Sequence, residues 1–172
     1  MQENLLVVHV NHIQTKIDEA LEELLDGLKE SEILPQIRYA LTSNGKRLRP
    51  ILVILSGGCI DPSRDLMDLA HAFELLHTAT LVHDDIIDMD DVRRDQPSVH
   101  NKWTLDDAIL TGDALIALSV RLASSFGPEV IRKVADTALE LCEGEHMDIA
   151  PLPPRSRSRF PGAPCSQAPG PA

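Results

Sequence analysis

SRDLMDLAHAFELLHTATLVHDDIID, residues 63–88, reads as one long helix. Ser63 can cap it, and Leu66, Leu69, Ala70, Phe73 and Leu76 recur at the helical period as an apolar stripe. Its far end changes character. Asp84, Asp88 and Asp91 fall at i, i+4 and i+7, so a continuing helix sets three carboxylates on one face, together with Thr80 and His77. Carboxylates one turn apart lie about 6 Å from each other, and at an effective dielectric of about 20 each pair repels by about 3 kcal/mol. The C-terminal end of a helix is also the negative pole of its dipole. An acidic seam in that place calls for a cation.

A solvated acidic face, screened by water and salt, is the plain alternative. Against it, this seam grows out of an apolar helix and runs at once into Arg93-Arg94. All-oxygen donors with no cysteine select a hard cation, Mg²⁺ or Mn²⁺ rather than zinc. A calcium-binding EF-hand loop is excluded, because no glycine or closing glutamate falls at the required positions. Mg²⁺ commonly joins carboxylates to substrate phosphates, so a phosphate-binding element is expected elsewhere. NGKRLRP, residues 44–50, supplies one. Gly45 lets the backbone approach a ligand, Lys46 offers a point charge, and Arg49 a planar fork suited to phosphate oxygens. A basic turn is by itself ordinary surface; beside an aspartate cluster that ends in two arginines it describes two anion sites around a metal.

The flanking sequence is helical throughout. In residues 11–30, Ile13, Ile17, Leu21, Leu24, Leu25 and Leu28 follow the helical period of an amphipathic helix with an acidic outer face. Pro35 can open a helix carrying Ile37, Ala40 and Leu41, which Asn44-Gly45 closes, presenting Lys46, Arg47 and Arg49 on a turn. From Pro50 to Leu55 no polar stripe interrupts the apolar residues, so that segment is expected to be buried on all sides. Thr104 caps another helix with Asp106 and Asp107 in its first turn, and Phe126-Gly127-Pro128 separates it from the next. No alternating strand pattern occurs, so the fold class is all-α.

Composition bounds the function. With 172 residues, 43% hydrophobic, the chain suits one globular domain, and 3% aromatics make its core aliphatic. A formal net charge of −11 argues against nucleic-acid binding by overall charge. Cys59, Cys142 and Cys165, odd in number and far apart, read as free thiols of a reducing compartment. The first residues lack the order of a secretory signal, and the longest apolar run, from Pro50, is too short for a transmembrane segment, so a soluble, cytoplasmic protein is expected. After Ala150 the composition shifts abruptly: residues 151–172 hold seven of the twelve prolines, with Arg155, Arg157 and Arg159 and no acid. They read as a Pro/Arg/Ser-rich disordered tail or a foreign sequence, following a body of residues 1–150.

The combination of GKRLRP (45–50), FELLHTATLVHDDIID (73–88), DVRRDQPSVH (91–100), GDALIALS (112–119) and EGEHMDIA (143–150), in this order, resembles the trans-isoprenyl diphosphate synthases, or polyprenyl synthetases. The resemblance implies an isoprenoid-synthase helical bundle and head-to-tail condensation of isopentenyl diphosphate with an allylic diphosphate. Carried over by motif position, Asp84 and Asp88 would ligate Mg²⁺ bound to the allylic diphosphate, with Asp85 in support and Arg93 on that diphosphate. Gly45, Lys46, Arg49, His77 and Arg94 would hold isopentenyl diphosphate. Metal ions would neutralise the departing diphosphate, an allylic cation would form, the isopentenyl double bond would attack and a proton would leave. Ala79 and Thr80 stand where short-chain members carry a bulky aromatic under the product; both are small, which implies a medium- or long-chain product. The family also implies a homodimer or heterodimer.

The same resemblance places a second aspartate-rich motif and a diphosphate-binding lysine beyond Ala150, where this sequence turns proline-rich; Asp106-Asp107 is followed by Ala108-Ile109-Leu110 and is not a DDxxD. The expectation is therefore a truncated or frame-shifted chain, inactive alone. Two other readings remain open: a non-catalytic subunit paired with a complete synthase, and a terpene cyclase fragment, against which GKRLRP speaks because a cyclase holds no isopentenyl diphosphate.

Overall fold

The computed structural model describes residues 5–42 and 45–149. The proline-rich tail, Cys165 and Asn44 lie outside the described residues. Helix α1 (Leu5–Asp26) starts earlier than its periodicity suggests, and Ile13, Ile17, Leu21 and Leu25, each four residues on from the last, are its buried ridge. Arg38 on α2 (Leu34–Thr42) pairs with Glu22 and, at 3.0 Å, with Asp26 on α1. α2 in turn buries Ile37 and Leu41.

The helix that carries the acidic seam is the centre of the structure. Helix α4 (Met67–Ile87) is buried on most of its circumference, and α6 (Leu105–Ala123) is its most extensive neighbour. Small residues let the two helices approach. Ser119 Oγ donates to the Ala72 carbonyl at 2.8 Å, and at Gly112 a Cβ would lie 2.1 Å from the His83 ring. Leu75 and Leu115 are fully buried in this cluster, each contributing about 1.5–3 kcal/mol by removal from water. The α6 start follows its sequence signature: the Asp107 amide donates to Thr104 Oγ1 at 3.0 Å. A short helix α5 (Val99–Lys102) precedes it, and a 3-10 turn (Ser124–Phe126) with Gly127 at φ 95° leads into α7 (Pro128–Ile149). The chain divides into two compact units between Ala138 and Leu139. The first holds α1–α6 and the start of α7; the described residues of the second are the remainder of that helix.

Four expectations change. Ser63 does not cap α4: it pairs with Asp61, and the Asp65 carboxylate accepts from the Met67 amide instead, so the helix begins four residues later. α3 (Leu48–Ile60) is not buried on all sides, because α1 and α4 cover one side only. It buries Pro50 and Ile51 and leaves Leu52 63% and Ile60 88% exposed. Asp91 does not share the face of Asp84 and Asp88, since α4 ends at Ile87 and Met89 turns the chain at φ 57°. Beyond that turn lies a hairpin invisible to strand periodicity, β1 (Val92–Arg93) paired antiparallel with β2 (Gln96–Pro97). One longer apolar stretch also emerges: Leu105–Phe126 is long and apolar enough to cross a membrane by length and composition, yet seven residues of α6, from Ala108 to Ala123, are buried in the core.

Candidate functional site

The acidic end of α4 meets the hairpin that follows it, and the same helix passes a basic segment between α2 and α3 further back. Asp85 is buried and accepts a hydrogen bond from Arg93 Nε on β1. Burial holds its pKa above the ordinary carboxylate value, and Arg93 offsets part of that rise. Asp84 is half-buried and is also raised: burial is the main cause, Arg93 pulls the other way, and the charges of Asp88 and Asp85 push it further up. Asp88, the C-cap of α4, is exposed. Asp85 thus holds Arg93 beside the cluster, while Asp84 and Asp88 form the open pair.

That pair can hold a hard cation. Among the described residues no group of three or more His, Cys, Asp or Glu side chains converges on one point. Mg²⁺, however, takes one or two carboxylates and completes its shell with water and phosphate oxygens. Two carboxylates one turn apart, one of them disfavoured as an anion by burial and by its neighbour, fit that ion.

One turn and more before Asp84 the same helix enters a basic cleft. Gly45, Lys46 and Arg47 line it from the α2–α3 turn, Leu48 and Arg49 from the start of α3, Glu74 and His77 from α4, and Arg94 from the hairpin tip. All five residues expected to hold isopentenyl diphosphate, separated by up to 49 positions in sequence, meet in this one cleft. His77 sits among cations: burial first, then Arg49 and more weakly Arg94 and Arg93, push its pKa below the ordinary histidine value against an upward pull from Glu74. The lowered pKa favours the neutral imidazole at pH 7.

The hairpin sends the paired arginines to different tasks, Arg93 to Asp85 and Arg94 to the cleft. Its two-residue turn has both central residues left-handed, Arg94 at φ 52° and Asp95 at φ 65°, the geometry that matches the twist of the strands. Of the two residues read as chain-length determinants, Ala79 is fully buried in the core cluster, and Thr80 is half-buried with its hydroxyl donating to the His77 carbonyl at 2.8 Å.

Two contributors escape a sequence reading. Tyr39 on α2 donates to the Pro97 carbonyl at 2.7 Å and so ties the hairpin down; its ring meets Trp103 edge-on with centroids 5.1 Å apart. Arg47 stands between the exposed Lys46 and Arg49 but turns inward and is 8% exposed. No local signal distinguishes it from its neighbours, since the partner that draws it inward is Glu74, 27 residues away.

The chain matches the polyprenyl synthetase family over residues 30–159. Geranylgeranyl diphosphate synthase of Methanosarcina mazei is 36% identical over 151 residues, covering 84% of this chain and 47% of its own length. Heptaprenyl diphosphate synthase component 2 of Geobacillus stearothermophilus is 40% identical over 132 residues, covering 73% of this chain and 41% of that protein. The crystal structure of a Thermotoga maritima geranyltranstransferase superposes with a TM-score of 0.75 at 35% identity, covering 82% of this chain and 55% of that one. The chain thus spans about half the length of the relatives it matches.

Proposed function

Since the chain belongs to the polyprenyl synthetase family, we propose that it serves a Mg²⁺-dependent prenyl transfer, condensing isopentenyl diphosphate with an allylic diphosphate to give a polyprenyl diphosphate. The observation that carries this reading is the convergence of Gly45, Lys46, Arg49, His77 and Arg94 on one cleft, with the Asp84/Asp88 pair further along the same helix. Lys46, Arg49 and Arg94 offer three positive charges to isopentenyl diphosphate, and His77, neutral when the cleft is empty, gains a proton beside the anion. Asp84 and Asp88 hold Mg²⁺ for the allylic diphosphate, and Arg93, oriented by Asp85, meets that diphosphate. Bound Mg²⁺ supplies the charge that steadies the departing diphosphate. The chain's own part is to set the two anions side by side, so that the isopentenyl double bond faces the allylic carbon as its C–O bond breaks.

Ala79 and Thr80, both small, favour a medium- or long-chain product. Thr80→Phe is the better probe, because Phe at the fully buried Ala79 would overpack the core by about 1–3 kcal/mol. A second reading makes the chain one component of a two-component synthase; the likeness to a heptaprenyl diphosphate synthase component favours it. Both are tested by incubating the full chain, alone and with a complete synthase, with labelled isopentenyl diphosphate, farnesyl diphosphate and Mg²⁺. Incorporation by the chain alone is expected to be little or none, and what there is to disappear in Asp84→Asn and Asp88→Asn. Incorporation in the mixture above that of the complete synthase by itself, with co-elution of the two proteins, selects the component reading, and incorporation by the chain alone that is indifferent to both substitutions contradicts the site.

A further inference from the structure

Arg47, of all the cations in the basic turn, spends its charge within the protein among the described residues. Nε donates to Asp18 Oδ1 on α1 at 2.9 Å, Nη1 to Glu74 Oε1 on α4 at 3.0 Å, and Nη2 to the carbonyl of Leu41 on α2 at 2.7 Å. Its own carbonyl accepts from the Ile51 amide at 3.1 Å, the bond that starts α3. One side chain thus fastens three helices, and its backbone opens a fourth. Arg47 itself is left-handed, at φ 48°, a conformation a non-glycine residue holds only when its surroundings over-determine it. Glu74 and Asp18 are both acids, so the buried guanidinium is matched by two carboxylates. An anion in the cleft gains little from it.

What Arg47 does fix is the direction of its neighbours. Lys46 precedes it and Arg49 lies in the first turn of the helix it opens; both are exposed, and both line the cleft. Resting on the reading of that cleft as an isopentenyl diphosphate site, we propose that Arg47 is a positioning residue: locked between Asp18, Glu74 and the Leu41 carbonyl, it aims Lys46 and Arg49 at the diphosphate without touching it. A fork is required for this. Lysine is a point charge on a flexible stem and cannot satisfy three acceptors on three helices in a fixed geometry.

The test is a double-mutant cycle in equilibrium binding of isopentenyl diphosphate to the full chain, with helix content and Tm measured for every variant. Arg47→Lys keeps the charge, and Asp18→Ala removes only the half-buried partner; each is expected to weaken binding, Arg47→Lys about tenfold. In an Arg49→Ala background, which has already lost one of the two groups being aimed, Arg47→Lys should cost clearly less, about threefold. A purely structural or a directly ligating Arg47 would cost the same tenfold in both backgrounds, which would overturn the proposal. So would undiminished binding by a folded Arg47→Lys or Asp18→Ala chain. If the unsubstituted chain does not bind, the reading of the cleft falls and this proposal with it; if it binds and the cycle is additive, only the proposal falls.

Discussion

At the residue scale the site is set by two titrating groups of opposite sense. Asp84 has a folded pKa raised chiefly by burial, so the folded chain holds its proton more tightly than the unfolded one, and stability is lost as pH rises through the ordinary carboxylate range. Asp84→Asn should therefore raise Tm in metal-free buffer, and should abolish the further rise that Mg²⁺ with a diphosphate gives the unsubstituted chain; differential scanning fluorimetry reads both. His77 has a folded pKa lowered by burial and by Arg49, so the unfolded chain protonates first and stability falls as pH drops below about 6.5. An anion in the cleft reverses the preference. Pyrophosphate affinity is expected to rise between pH 8 and pH 6 more steeply for the unsubstituted chain than for His77→Asn, by a factor of about ten for each pKa unit gained on binding. Calorimetric titration of both chains checks this, since the ligand's own protonation is common to the two. The residue types of this site were legible in the sequence because their chemistry is carried by identity and spacing. The inward turn of Arg47 was not, because it is decided by acceptors on α1, α2 and α4.

At the element scale local signals were legible and tertiary ones were not. The Thr104 cap lies within four residues of everything it touches, and it forms as the sequence indicates. Thr104→Ala should cost about 1 kcal/mol, a Tm lower by about 2–4 °C, without changing ligand binding. The apolar run in α3 says nothing of what covers it, and only one side is covered. The hairpin is too short for periodicity, and its turn residues are Arg-Asp rather than the Asn-Gly that announces such a turn. Its anchors are remote: Tyr39 holds the Pro97 carbonyl from 58 positions away, and Asp85 holds Arg93. Tyr39→Phe removes one hydrogen bond, about 1 kcal/mol. It is expected to weaken binding of both diphosphates, because both arginines ride on the hairpin, and parallel titrations with isopentenyl and allylic ligands would read the two losses.

At the scale of the whole molecule, a chain of net charge −11 gathers Lys46, Arg49 and Arg94 into one cleft, so an anion meets a local field opposite to the global one. The all-α class, the central helix and its pairing of acidic face with basic turn were legible from motif order. The packing that brings the α2–α3 turn and the hairpin tip together was not, since it rests on partners remote in sequence, Arg47 with Asp18 and Glu74 and Tyr39 with the Pro97 carbonyl. The most direct measurement is equilibrium binding of labelled isopentenyl diphosphate to the full chain in the presence of a metal chelator. One saturable site is expected, weakened in Arg49→Ala and undiminished in the Asp84→Asn/Asp88→Asn chain. Absence of saturable binding, or binding that is undiminished by Arg49→Ala but fails without the two aspartates, would contradict the assignment of the two anion sites.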